Sequence, residues 1–286
     1  MAVEKSTDAI STDFNKDGQI DLVVVGEWMN PTFLENSKGN FKDVTSTFVK
    51  GNNSGLWQSI AAFDIDNDGD DDFILGNFGL NSKFKASDKY PMKMYVGDLD
   101  NNNRTETIIA IEKKGNYYTL QGLDELAGQL NYLKKKYRSY KDFAGKTVEE
   151  IFGKELLKTT TLLKVTNLAS GYLKNDEGSF TFYPFMDANL QLSPITEILK
   201  YDFNADGQDD ILVAGNYFGV TPYQGRFDSF AGAVMQNNGE VVSSAKVGVD
   251  FFNKAVKGLN IINYKGSKYL LVTINNDEIE IYEIPN

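Results

Sequence analysis

Short runs of β-branched and aromatic residues alternate with turn-forming clusters along most of the chain. Leu22–Val25, Phe73–Leu75, Thr107–Ala110 and Ile211–Val213 read as strands, and so do Ser59–Phe63, Ser179–Tyr183 and Tyr269–Ile274. Between them stand turn signals such as Asn36-Ser37-Lys38-Gly39-Asn40 and Asn237-Asn238-Gly239. One stretch, about 119-157, breaks the pattern. There Leu123, Leu126, Leu130, Leu133, Tyr137 and Tyr140 follow one another at steps of 3, 4, 3, 4 and 3, one face of a helix. Thr147 with Glu150 gives a capping-box signal ahead of Ile151 and Phe152. The pattern predicts an α-helical insertion in an otherwise β chain. Either its Leu/Tyr stripe packs on the β body, or Lys134, Lys135, Lys136, Arg138 and Lys141 form an anion-binding face.

A nonapeptide, Asp-x-Asp/Asn-x-Asp-Gly-x-x-Asp, recurs ahead of four of the strands. It runs from Asp13 through Asn15, Asp17, Gly18 and Gln19 to Asp21, and from Asp64 through Asp66, Asp68, Gly69 and Asp70 to Asp72. It returns from Asp202 through Asn204, Asp206, Gly207 and Gln208 to Asp210. A degenerate copy runs from Asp98 through Asp100, Asn102 and Arg104 to Glu106, with Asn103 in place of the glycine. Because each copy lies between strands, the repeat is a strand–acidic loop–strand unit. Short strands, frequent turns and a period of tens of residues predict an all-β fold, a β-propeller of four-stranded blades with about five blades present, taken as one domain over 1-286.

Carboxylates at alternate positions cannot converge without a counter-ion. A loop curled around one hard cation solves this, with side chains at positions 1, 3, 5 and 9 and the backbone carbonyl of position 7 (Gln19, Asp70, Arg104, Gln208) turned inward. Oxygen-only donors on a flexible loop select Ca2+. An EF-hand also needs a glutamate at position 12, where this chain has Val24, Leu75 and Val213 inside strands. The expectation is three strong calcium sites and a looser fourth at Asp98–Glu106.

Composition narrows the rest. Lys+Arg number 29 against 40 Asp+Glu, a net charge of −11, which argues against nucleic acid as a partner; four calcium ions would reduce it to −3. With no Cys and no His, thiolate sites, the usual catalytic triads and His-ligated zinc are excluded. No apolar run approaches the roughly 20 residues of a membrane-spanning helix, so no membrane insertion is expected.

The acidic loops, followed by Gly76-Asn77-Phe78-Gly79 and Gly215-Asn216-Tyr217-Phe218-Gly219, resemble FG-GAP repeats, the calcium-bearing blades of integrin α-subunit propellers and of bacterial VCBS-repeat proteins. Asp21 to Pro31, Gly76 to Ser87, Leu192 to Pro194, Asp124-Glu125-Leu126 and Val148 to Gly153 are similar to the Bacteroidetes-type VCBS proteins that carry an ASPIC/UnbV segment. The resemblance implies that the named loop residues are the metal ligands. It also implies an exported or surface-attached protein, extracellular, periplasmic or on the outer membrane, of which this chain is a trimmed form.

The expected function is non-enzymatic: a calcium-stabilised propeller that binds or adheres to a glycan or protein ligand, with further domains or another copy closing the ring. The segments Leu80 to Pro91 and Val220 to Gly232 are expected to be neighbours. In the second, Tyr223, Arg226, Phe227 and Asp228, with Tyr217, offer stacking and charge to a ligand. Trp28 and Trp57 are expected in the core or in packing between blades, and not as a carbohydrate platform. A calcium-dependent polysaccharide lyase or hydrolase, and a purely structural module of a larger surface protein, are the alternatives.

Overall fold

Alternating buried and half-buried residues give the strands their two faces, and the computed structural model, which describes residues 5–220 and 225–285, assembles them into antiparallel sheets. The first sheet is a meander of β1 (Lys5–Thr12), β2 (Asp21–Met29), β3 (Thr32–Ser37) and β4 (Asn40–Asp43), followed by the single turn α1 (Thr45–Phe48); the short β5 (Gly55–Leu56) pairs with the far end of β2. A second sheet begins with β6 (Ser59–Phe63) and β7 (Asp72–Gly76).

The chain then leaves that sheet. Residues 84–167 form a compact unit of their own, and residues 5–83 with 168–286 form the other. The inserted unit has its own sheet, in the order β10-β9-β8-β11, from β8 (Met92–Gly97), β9 (Glu106–Lys113), β10 (Asn116–Thr119) and β11 (Thr161–Val165). Five short helices stand between β10 and β11: α2 (Leu123–Gln129), α3 (Tyr132–Lys136), α4 (Tyr140–Phe143), α5 (Val148–Phe152) and α6 (Lys154–Lys158). The helical stretch therefore lies inside a longer excursion with strands on both sides of it.

The Leu/Tyr stripe is not one continuous helix face. Leu123, Leu126, Leu130, Leu133 and Tyr137 are buried with Ile108, Ile151 and Phe152, but Tyr140 is 61% exposed. The stripe breaks because Ser139 takes an extended conformation and caps α4, accepting a hydrogen bond from the Asp142 amide. The expected capping box forms at α5, where Thr147 and Glu150 satisfy each other's amides.

After the insertion, β12 (Gly171–Asp176) pairs with β7 and β13 (Ser179–Pro184) completes the second sheet. A third blade-like meander follows, β14 (Ile195–Tyr201), β15 (Asp210–Gly215), β16 (Ala233–Met235) and β17 (Val241–Ser243); then comes a three-stranded one, β18 (Val256–Tyr264), β19 (Ser267–Ile274) and β20 (Glu280–Ile284). With 43% strand and 14% helix in antiparallel sheets, none closed into a barrel, the fold is all-β and propeller-like with a few helices. Among the described residues no helix is long and apolar enough to cross a membrane.

Within the larger unit the first strands of successive sheets pack in chain order, β1 on β6, β6 on β14 and β14 on β18. Hydroxyls tie these junctions. Thr7 donates to the Trp57 carbonyl at 2.9 Å, Ser59 to that of Ile195 at 2.9 Å and Thr196 to that of Val256 at 2.7 Å. Thr7 and Thr196 each occupy a β-bulge, the device that turns a side chain out of its regular alternation. Glycine is required at the second junction, because a Cβ on Gly76 would stand 2.2 Å from the Ile195 carbonyl oxygen. Aromatic packing fills the space between the first two sheets: Phe33 meets Phe180 at 4.8 Å and Phe14 at 5.0 Å, with Trp57 fully buried beside them. Trp28 is only half-buried and adopts a left-handed backbone with φ 64°.

Candidate metal centres

All four acidic loops fold the same way. The fourth residue of each is left-handed (Lys16, Asn67, Asn101 and Ala205, φ 58–60°), and so is the sixth (Gly18, Gly69, Asn103 and Gly207, φ 63–92°). Glycine suits the sixth position because it reaches φ near 90° without steric cost, and Asn103 takes its place at φ 63°, in the region asparagine tolerates. The double reversal points backbone amides at the first carboxylate. Asp13 accepts from Asp17 and Gly18, Asp64 from Asp68 and Gly69, Asp98 from Asn102 and Asn103, and Asp202 from Asp206 and Gly207, all at 2.8–3.1 Å. The fifth side chain accepts the seventh amide in each copy, Asp17 from Gln19, Asp68 from Asp70, Asn102 from Arg104 and Asp206 from Gln208.

The ninth residue opens the following strand and is buried: Asp21, Asp72 and Asp210 are 0% exposed and Glu106 is 4%. Each of the last three accepts the amide of the loop's second residue, Ile65 to Asp72, Leu99 to Glu106 and Phe203 to Asp210. A second amide reaches across the sheet from an asparagine: Asn36 to Asp21 at 2.8 Å, Asn175 to Asp72 at 2.7 Å and Asn237 to Asp210 at 3.4 Å. Asn36 and Asn175 also bond the loop's eighth carbonyl, of Ile20 and Asp71, and accept from the hairpin glycines Gly39 and Gly178. Sequence reasoning took Asn36 only as a turn residue and did not single out Asn175; the Asn-x-x-Gly spacing they share was the available signal.

Two loops draw three carboxylates together. Side-chain oxygens of Asp64, Asp66 and Asp72 lie within 4.8 Å of one another, and so do those of Asp98, Asp100 and Glu106. The copy expected to be looser thus gathers its acids as closely as the regular one, with the longer Glu106 at the ninth position. The Asp13 and Asp202 loops carry Asn15 and Asn204 at position 3, which leaves them one carboxylate fewer than the Asp64 loop and the same three as the Asp98 loop; Asn15 donates to Glu35 and Asn204 to Asp206.

Protein counter-charge at these clusters is sparse. Asp21 Oδ2, Asp70 Oδ1 and Asp100 Oδ1 are buried without a hydrogen-bond partner, a costly state for a carboxylate oxygen. Burial pushes the Asp72 carboxyl up to about 6, and Asp66 and Asp70 add to the shift against the Asn175 and Ile65 amides. Asp21 and Asp210 are raised for the same first reason. Asp70 is raised by burial first and then by Asp68, against the opposing effect of Lys16. At Asp98 burial acts upward, but the loop amides outweigh it and hold the carboxyl below the usual range. Lys174 stands 2.6 Å from Asp66, the one cation on the second cluster among the described ion pairs. Inward carboxylate oxygens without donors are the arrangement that a hard divalent cation completes.

The expected ligand residues fall differently. Phe227 is 8% exposed, packs edge-on to Phe78 at 5.2 Å and exchanges both backbone hydrogen bonds with Tyr217, which makes it a structural residue and not a ligand contact. Arg226 is exposed, stacked over Phe218 at 3.9 Å, 3.6 Å from Asp228 and bonded to Asn253, so its charge is already engaged. Tyr223 lies outside the described residues. Asn81 donates to Ser229 at 3.3 Å, which joins the start of the segment after Gly79 to the second segment. The asparagines of the Gly-Asn-aromatic pairs are buried clamps: Asn77 accepts from Leu56 and Phe78, and Asn216 bonds Phe230 and the Lys254 carbonyl.

None of the curated proteins matches this chain. A family model described as an FG-GAP-like repeat matches residues 13–75, from the first acidic loop through the strand that follows the second. That stretch of the chain therefore carries an FG-GAP-like repeat, in support of the FG-GAP/VCBS repeat family.

Proposed function

We propose that the chain is a non-enzymatic calcium-binding module, exported or held at a cell surface, whose propeller-like sheets present a binding face to a glycan or protein. The observation that carries the calcium reading is the repetition of one loop geometry four times, with two carboxylate clusters and three donorless buried carboxylate oxygens. Asp64, Asp66 and Asp72, and Asp98, Asp100 and Glu106, would hold the ions. By donor charge the Asp64 loop is the strongest, with four carboxylates at positions 1, 3, 5 and 9; the Asp98 loop, and the loops of Asp13, Asn15, Asp17 and Asp21 and of Asp202, Asn204, Asp206 and Asp210, carry three each. Kinship with ASPIC/UnbV-associated VCBS proteins belongs to the same reading.

An ion at each cluster cancels repulsion that the fold otherwise bears and stabilises the native state by mass action. With extracellular-type affinities near 0.1 mM, millimolar calcium contributes about 1.4 kcal/mol per site. Thermal unfolding in EGTA and across a calcium titration, with magnesium as the control, tests this. Two filled sites raise the midpoint by several degrees in calcium and little in magnesium. A midpoint indifferent to calcium sinks the calcium reading.

A further inference from the structure

The net charge of −11 conceals two opposite halves. Residues 84–167 hold 15 Lys+Arg against 11 Asp+Glu, a net of +4, which leaves −15 on the remainder. The excess is concentrated where α3 meets α4, in Lys134-Lys135-Lys136-Tyr137-Arg138-Ser139-Tyr140-Lys141.

The cations of that segment are placed differently from those around them. Lys146, Lys154 and Lys158 each pair with a glutamate, Glu150, Glu149 and Glu155. Lys136 donates to the Ile151 carbonyl at 2.6 Å. Lys134, Lys135, Arg138 and Lys141 are exposed, and among the described residues none of them has an ion-pair partner. Of the acids flanking the segment, Asp124 accepts from the Tyr140 hydroxyl and Asp142 from Ser139. The segment is also rigidly mounted. Leu133 and Tyr137 alternate with the cations and are buried, and the Tyr137 ring meets Phe143 edge-on at 5.5 Å. Among them the Tyr140 ring stands 61% exposed with its hydroxyl anchored, so ring and charges are presented together at little further entropic cost.

We infer that this turn is a binding site for an acidic polysaccharide, one bearing sulfate or carboxylate groups. Unpaired Lys and Arg heads recognise the anionic groups, with Arg138 suited to a bidentate contact, and the exposed Tyr140 face stacks on a sugar ring. A lipid surface is disfavoured because no other large apolar side chain of the segment is exposed. A duplex is a polyanion too, with a charge every ~1.7 Å, and competition by DNA at matched charge separates it from the saccharide. The inference takes from the proposed function only the class of ligand; it is independent of the calcium sites.

The test uses the full chain on immobilised dextran sulfate with uncharged dextran as control, in calcium and in EGTA. The parent is retained and released by added salt. K134E/K135E/R138E/K141E loses at least tenfold in affinity, while K85E/K89E/K113E/K114E, with the same change in charge on the same unit, stays within twofold. Tyr140→Ala weakens binding several-fold. Unfolding midpoints confirm that each variant is folded. No retention of the parent, or equal losses in the two charge variants, overturns the site. An unchanged Tyr140→Ala, or equal competition by a DNA duplex at matched charge, overturns the saccharide as ligand. The calcium reading stands or falls separately, on the midpoint shift.

Discussion

The amide of Asn175 donates to Asp72 at 2.7 Å across 103 residues of chain. Between the two residues lies the whole inserted unit, so the second sheet is completed, and its acidic loop braced, only after residues 84–167 have been spanned. A fully buried carboxylate that meets both a neighbouring-strand amide and two other acids serves the sheet and the acidic loop at once.

This dual role separates two substitutions. Asp72→Ala leaves the Ile65 and Asn175 amides buried without an acceptor and should cost about 2–4 kcal/mol even in EGTA. Asp66→Ala removes an acid bonded to a half-exposed Lys174 and should change stability in EGTA by less than about 1 kcal/mol. Both variants should lose the same part of the calcium-dependent midpoint shift. Equal losses in EGTA would show that Asp72 has no structural role beyond the loop.

The hydroxyl ties between first strands make a second prediction. Thr196→Val keeps the shape and the bulge but leaves the Val256 carbonyl without its donor, at a cost of about 1–2 kcal/mol. Ser59→Ala should cost a similar amount at the Ile195 carbonyl. Because Ser59 bonds the carbonyl of the Ile195–Thr196 peptide itself, the two sites abut, and the double variant should depart from additivity in chemical denaturation. Strict additivity would mean that the two junctions act independently despite sharing β14.

The third concerns pH. Burial first, and Asp8 second, push the Glu197 carboxyl on β14 up to about 7, against the opposing effect of Lys257. The folded state therefore holds this proton more tightly than the unfolded chain, whose glutamate titrates near 4.5. The stabilising contribution is full below about pH 4.5 and is lost as pH rises through 7. Glu197→Gln, uncharged throughout, should flatten this slope and be more stable than the parent at pH 8, by on the order of 1–3 kcal/mol. Parallel stability curves for the two proteins between pH 5 and 8 would refute the assignment.

Local sequence determined a good deal here. Four acidic nonapeptides between strands dictated four matching loops, because the positions of the acids and of Gly or Asn decide which backbone amides can turn inward within nine residues. Short apolar runs such as Phe73–Leu75 dictated strands, and the Thr147–Glu150 pair dictated a helix start, for the same reason: each is settled by neighbours a few positions away. What depends on distant partners was decided only by the tertiary structure. Asn175 reaches Asp72 through strand register, which no local pattern encodes, and Phe227, legible as a ligand-facing aromatic, is buried against Phe78, which follows β7 149 residues earlier. Tyr140 fits the apolar stripe by spacing, yet the extended Ser139 before it turns the ring outward. The division of charge followed the same rule: −11 is a property of the composition, while +4 on one unit and −15 on the rest emerge only once the contacts show which residues fold together.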